Sequence, residues 1–120
     1  MKVLVVEDED LLRAATVDAF EDAGFEVIEA ETGEQAVALC KDRAADALFT
    51  DIRLPGRIDG WDVAEQCRRV DPKLPVIYVT GYSFKEHRPV PGSRFFQKPY
   101  HAAQVIDAIS DLLGRSAGRA

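Results

Sequence analysis

The chain is short of cysteine, of long apolar runs and of positive charge, and each shortage excludes something. Cys40 and Cys67 are the only cysteines in 120 residues. They form no CxxC motif, which points to a reducing compartment. Each follows a valine at helical spacing (Val37 and Val63), so both are expected as free, buried thiols on apolar helix faces. No apolar run is long enough to span a bilayer. Met1 leads almost at once into a strand, so no secretory leader is expected. The expected location is the cytoplasm. Fifteen basic residues stand against 21 acidic ones, a formal net charge of −6. That balance disfavours nucleic acid and anionic membranes as partners.

What is present is an alternation of two periods. The chain is 47% hydrophobic and long enough for one domain with a proper core. Val3–Val6, Phe25–Ala30, Ala47–Thr50, Pro75–Thr80 and Arg94–Gln97 read as strands. Between them run helical stripes: Leu11 to Phe20 with a stop at Gly24, Gly33–Arg43, Gly60–Val70 closed by Asp71-Pro72, and Ala102–Leu113 with Gly114 behind it. The domain is therefore expected over residues 1–114, with 115–120 as a flexible tail. Continuous apolar strands alternating with helices predict an α/β fold with a parallel sheet covered on both faces.

Ligands in such sheets bind beyond the carboxyl ends of the strands. Those ends carry Glu7 and Asp8 after the first strand, Asp51 after the third, Thr80 at the fourth and Lys98 after the fifth. The run Glu7-Asp8-Glu9-Asp10 repels itself unless a cation lies beside it. Glu9 and Asp10 read as a solvated helix start, because acidic residues favour helix N-termini. Glu7, Asp8 and Asp51 offer oxygen ligands only, few and partly open, which suits Mg²⁺ (or Mn²⁺) joined to a phosphate. A carboxylate there can attack phosphorus, with Lys98 and Thr80 holding the transferred oxygens. Each residue also has a plain reading: a turn aspartate, a strand-end threonine, a surface lysine, a core Phe95. His87 and His101 read as solvent-facing, and Trp61 as packing.

The segments VVEDE, FTDIRLPG, VTGY and FFQKPY, in that order and each at a strand end, resemble the signatures of the response-regulator receiver domain of two-component signalling. The resemblance covers the chain to about Gly114. It implies a five-stranded sheet in the flavodoxin-like order 2-1-3-4-5. It implies that Asp51 is the phosphoacceptor. The metal would be held by Glu7, Asp8, Asp51 and the backbone carbonyl of Arg53. Thr80 and Gly81 would form the switch, Lys98 would bind the phosphate and Phe95 would be the switch aromatic. The donor would be a histidine kinase, of the HWE type by resemblance of VIYVTGY, or a phosphotransfer protein. A protein target would be met on the face made by the fourth helix, strand five and the last helix.

The sequence departs from that pattern in places. Glu7 stands where Asp is commoner. The Asp51–Gly60 segment is one residue longer than usual, so the loop carrying Arg57 and Ile58 is expected to bulge. Arg53 and Tyr82 are bulky and placed to control water access to a phosphate. Pro89 and Pro91 follow too soon for a full fourth helix, which is expected short or irregular. Two other functional classes compete. An aspartate-nucleophile phosphohydrolase needs a general acid two residues after Asp51, where Arg53 stands. A flavodoxin-like cofactor binder needs a phosphate cradle after strand one, where four carboxylates stand. Within the receiver class, a scaffold that is never phosphorylated is the remaining alternative.

Overall fold

Five strands alternate with four helices in the computed structural model, which describes residues 1–82 and 86–117, with side chains described through residue 114. They are β1 (Lys2–Val6), α1 (Asp10–Asp22), β2 (Glu26–Ala30), α2 (Gly33–Lys41), β3 (Ala47–Asp51), α3 (Gly60–Val70), β4 (Val76–Thr80), β5 (Arg94–Gln97) and α4 (Ala102–Ala117). The sheet is parallel throughout, in the order β2-β1-β3-β4-β5. The central strands β3 and β4 are buried along their whole length, which is why their sequences run apolar without alternation until the polar residues at their carboxyl ends.

Alternate strand residues feed two cores. Leu4, Val6, Leu48 and Tyr78 pack with α2 and α3 on one face. Val3, Val5, Phe49, Ile77 and Val79 pack with Phe20 of α1 and Val105 and Ile109 of α4 on the other. The helices begin and end where local chemistry directs. Thr32 caps α2 by accepting from the Gln35 N–H, and Asp59 and Asp62 cap α3 reciprocally. Gly24, at φ +94, turns the chain out of α1. Gly60 is required by space: a Cβ there would lie 2.2 Å from the carbonyl oxygen of Asp51. Its N–H also donates to the Ile52 carbonyl at 2.7 Å, so the start of α3 is seated directly on the backbone that carries Asp51.

Two expectations change, and two loops are seen in more detail. The cysteines are not free thiols: Cys40 and Cys67 form a disulfide, with Cα atoms 5.3 Å apart. Each sits on the inward face expected of it, but those faces belong to helices packed side by side, so chain spacing was no guide. Paired in this way, the two cysteines no longer point to a reducing compartment. The last helix does not stop at Gly114 but continues to Ala117; no proline follows to end it. The expected tail lies partly in that helix, and residues 118–120 lie outside the described residues. Between β4 and β5 no helix occurs among the described residues, and Ser83, Phe84 and Lys85 of the expected short helix lie outside them. The segment is instead pinned by single contacts. The Val90 N–H donates to the Tyr78 hydroxyl at 3.0 Å, and Arg88 bonds Asp62 and Glu65 of α3. Finally, the long β3–α3 loop folds inward: Ile58 packs against the α2–α3 core and the start of α2 while Arg57 stays exposed.

Candidate functional site

The carboxyl ends of β1, β3 and β5 bring Glu7, Asp8, Asp51 and Lys98 together. Glu7 and Asp51 are almost wholly buried, at 3% and 5% exposure. Their charges are met by one ammonium: Lys98 Nζ lies 2.9 Å from Glu7 and 2.8 Å from Asp51. Burial pulls the Lys98 ammonium down, but its hydrogen bonds to Asp51 and Glu7 outweigh that and hold it above the ordinary lysine value. Asp8 is exposed, and among the described residues it forms no ion pair of its own beyond the more distant pull of Lys98. Partial desolvation, with Glu7 beside it, raises its carboxyl above the ordinary aspartate value.

Carboxylate oxygens of Glu7, Asp8 and Asp51 come within 4.8 Å of one another. Three carboxylates and one ammonium leave two negative charges. The donors are hard oxygens, one of them on an open rim, so the residues fit a small divalent cation that keeps several waters. The acidic cluster of the sequence is thus a site able to hold such a metal.

The other expected residues lie around it. Thr80 is fully buried, and its hydroxyl oxygen accepts from the Tyr82 N–H at 3.1 Å. Its carbonyl accepts from the Lys98 N–H at 2.8 Å, which sets the register of Lys98 against β4. Gly81 is exposed, and a Cβ there would meet only Lys98 Cβ at 3.8 Å. The Arg53 guanidinium lies over the exposed Tyr82 ring, 4.6 Å from its centroid, so the two bulky residues meet as a pair. Phe95 departs from its core reading. It is 42% exposed and stacks on Trp61 at 6.4 Å, while Phe96 points into the α1–α4 core. The physical reason is position: β5 is the edge strand, and alternation turns only one of the two rings under a helix. His87 is exposed as expected, but its ring also touches Trp61 and Phe95. Trp61 packs against Tyr78. His101 is exposed.

Two contributors were not anticipated. Arg13 of α1 donates through Nη1 to the Glu7 carbonyl at 3.0 Å and pairs with Asp10, Glu29 and Glu31, so it braces the acidic loop from outside. Its spacing of three from Asp10 was the available signal. Tyr100 shares a hydrogen bond of 2.7 Å with Thr16, joining α1 to the turn after Lys98. A groove of about 490 Å³, lined by Leu12, Ala15, Lys98, Pro99 and Tyr100 among others, opens beside this contact.

Relatives agree with the geometry. Residues 3–110 match the response regulator receiver domain family. The chain is 27% identical over 116 residues to the response regulator receiver protein CpdR of Brucella abortus, covering 93% of this chain and 96% of that one. It is 29% identical over 117 residues to the sensor kinase CckA of the same organism, covering 92% of this chain but only 12% of the kinase. A crystal structure of a response regulator receiver protein from Sinorhizobium medicae superposes with a TM-score of 0.90 at 37% identity, over 95% of this chain and 94% of that one. A parallel 2-1-3-4-5 sheet, an acidic pocket bridged by a lysine and this match over most of its length lead to one conclusion: the chain belongs to the response regulator receiver domain family, the phosphorylation-dependent switches of two-component signalling.

Proposed function

We propose that Asp51 is the phosphoacceptor of this switch. The observation that carries the reading is the Lys98 bridge between Asp51 and Glu7, with Asp8 alongside. An Asp51 carboxylate oxygen attacks the phosphorus of a phosphohistidine or a small acyl phosphate. In the first case the P–N bond breaks, and its electron pair leaves with the imidazole, which takes up a proton; in the second the P–O bond to the acyl oxygen breaks, and its electron pair leaves on the carboxylate. Lys98 then shifts from two carboxylates to the phosphoryl oxygens. Thr80 gives its hydroxyl hydrogen to the same group, since its oxygen already accepts from Tyr82. A bound Mg²⁺ or Mn²⁺ would supply compensation for the charge gathered on the carboxylates and the incoming phosphoryl group. Asp8, Asp51, the backbone carbonyl of Arg53 and, through water, Glu7 would hold it.

Movement of Thr80 draws on Gly81 and frees space behind β4 for the Phe95 ring. The signal leaves by the face of the β4–β5 segment, β5 and α4, to a protein target. Arg53 and Tyr82, stacked at the mouth, limit the water that removes the phosphoryl group. The donor is a histidine kinase, of the HWE type, or a phosphotransfer protein in the cytoplasm; the groove beside Lys98 offers it an apolar approach to the site. Residues 1–114 make the functional unit.

Intact mass spectrometry tests the assignment. With a small acyl phosphate and Mg²⁺ the chain should gain one phosphoryl group. The gain should vanish in Asp51→Asn and in excess chelator. A normal gain in that variant would overturn it.

A further inference from the structure

The Cys40–Cys67 bond lies at the opposite end of the sheet from Asp51. It joins the last turn of α2 to α3 in the apolar core shared by both helices. A cavity of about 190 Å³ lies against both cysteines. Its other walls are Arg43, Ala45, Asp46, Asp71 and Leu74, the residues that enter β3 and β4. Arg43 and Asp46 are exposed, so the cavity reaches the surface. Of the two cysteines, Cys40 is the more exposed and forms the natural point of attack.

The helices do not depend on this bond for their packing. Ala36, Val37, Val63 and Ala64 belong to the same buried cluster. Arg43 reaches from the end of α2 to the Val70 carbonyl at the end of α3, at 3.0 Å. A chain of this length has core enough without a covalent staple. A folded dithiol form is therefore accessible, and the cavity gives a small thiol an approach to Cys40, the less buried of the two. α3 is then a rod with two anchors. Its first residue, Gly60, is seated on the Asp51 backbone, and its third turn is bolted to α2 at Cys67.

We propose that Cys40 and Cys67 form a redox-reversible latch between α2 and α3, exchanged by small thiols and disulfides through this cavity. It gives the domain an input separate from Asp51. In closing, the Cys40 thiolate attacks one sulfur of a small disulfide such as oxidised glutathione, and one thiolate leaves. The Cys67 thiolate then attacks the Cys40 sulfur of the mixed disulfide and expels the second. The two protons lost by the cysteines pass to the two released thiolates, and the small disulfide is reduced to two thiols. Opening is the reverse, with two small thiols oxidised.

The test equilibrates the folded chain in glutathione buffers of stepped ratio. Each sample is quenched with acid, alkylated with N-ethylmaleimide in denaturant and weighed intact. The latch predicts one transition from a species with no adduct to a species with two. Cys40→Ala should show no adduct-free, glutathione-free species at any ratio. Two adducts at every ratio, oxidised glutathione alone included, would overturn the latch. So would a bond that survives excess reduced glutathione without denaturant, because it would then be a fixed staple. The assay does not involve phosphorylation: Asp51→Asn should titrate as the unaltered chain does, so a failed phosphoacceptor assignment leaves this result intact.

Discussion

The two ends of one parallel sheet are built on opposite terms. At the carboxyl ends, Glu7, Asp8 and Asp51 crowd around a single ammonium, with two negative charges left over. At the amino ends, α2 and α3 are bonded through sulfur, and Arg43 and Arg68 donate to the carbonyls of Val70 and Leu74. One end is electrostatically strained and open; the other is tied and neutral. The difference teaches where such a fold can hold its stability. A site crowded with like charges is a poor anchor, and the covalent tie stands at the far end of the strands.

The comparison can be broken most severely at the tied end. The bond closes a loop with a sequence separation of 27. In the chain-entropy account a loop of that length contributes about 3.5 kcal/mol. Reduction, or Cys40→Ala, should therefore lower the melting temperature by roughly 10 °C or more. A shift of a degree or two would mean that the strain at the open end is not offset from here.

A smaller effect should come from relieving the strained end. A divalent cation that binds only the folded chain stabilises it by mass action, about 2.7 kcal/mol at a hundred times its dissociation constant. Mg²⁺ should raise the melting point of the oxidised and reduced forms alike. Stabilisation of only one form would show that the ends are coupled rather than separate.

The smallest effect sharpens the contrast by pH. Asp8 has its carboxyl raised by desolvation and by Glu7. A raised folded value means that the group's contribution is present at low pH and is lost as pH rises through that value. Without metal, Asp8→Asn should therefore melt higher than the unaltered chain at neutral pH, by a few degrees at most, on the order expected of an exposed charge. The advantage should disappear as pH falls below the ordinary aspartate value of 3.8. Thermal melts across pH in chelator would show it. An advantage that persisted in acid would place the strain elsewhere.

The open end was legible in the sequence and the tied end was not, for a physical reason. Parallel strands buried on both faces write themselves as apolar runs, and their last residues mark the ligand edge. Glu7, Asp8, Asp51, Thr80 and Lys98 could be found by that rule before their contacts were known. The disulfide depends on two helix faces meeting, which no spacing along the chain encodes. The plain core reading of Phe95 failed because two adjacent phenylalanines look alike until the edge position of β5 exposes one of them. The Arg88 link to Asp62 and Glu65 was equally hidden, since it joins side chains far apart along the chain.

The disulfide has a topological consequence as well. Residues 40 to 67, with their closing bond, form a covalent ring, and β3 and Asp51 lie inside it. While the ring is closed, a backbone cut anywhere in the β3–α3 loop is a nick and not a scission: both pieces stay on one molecule, and Asp51 stays between the strands that surround it.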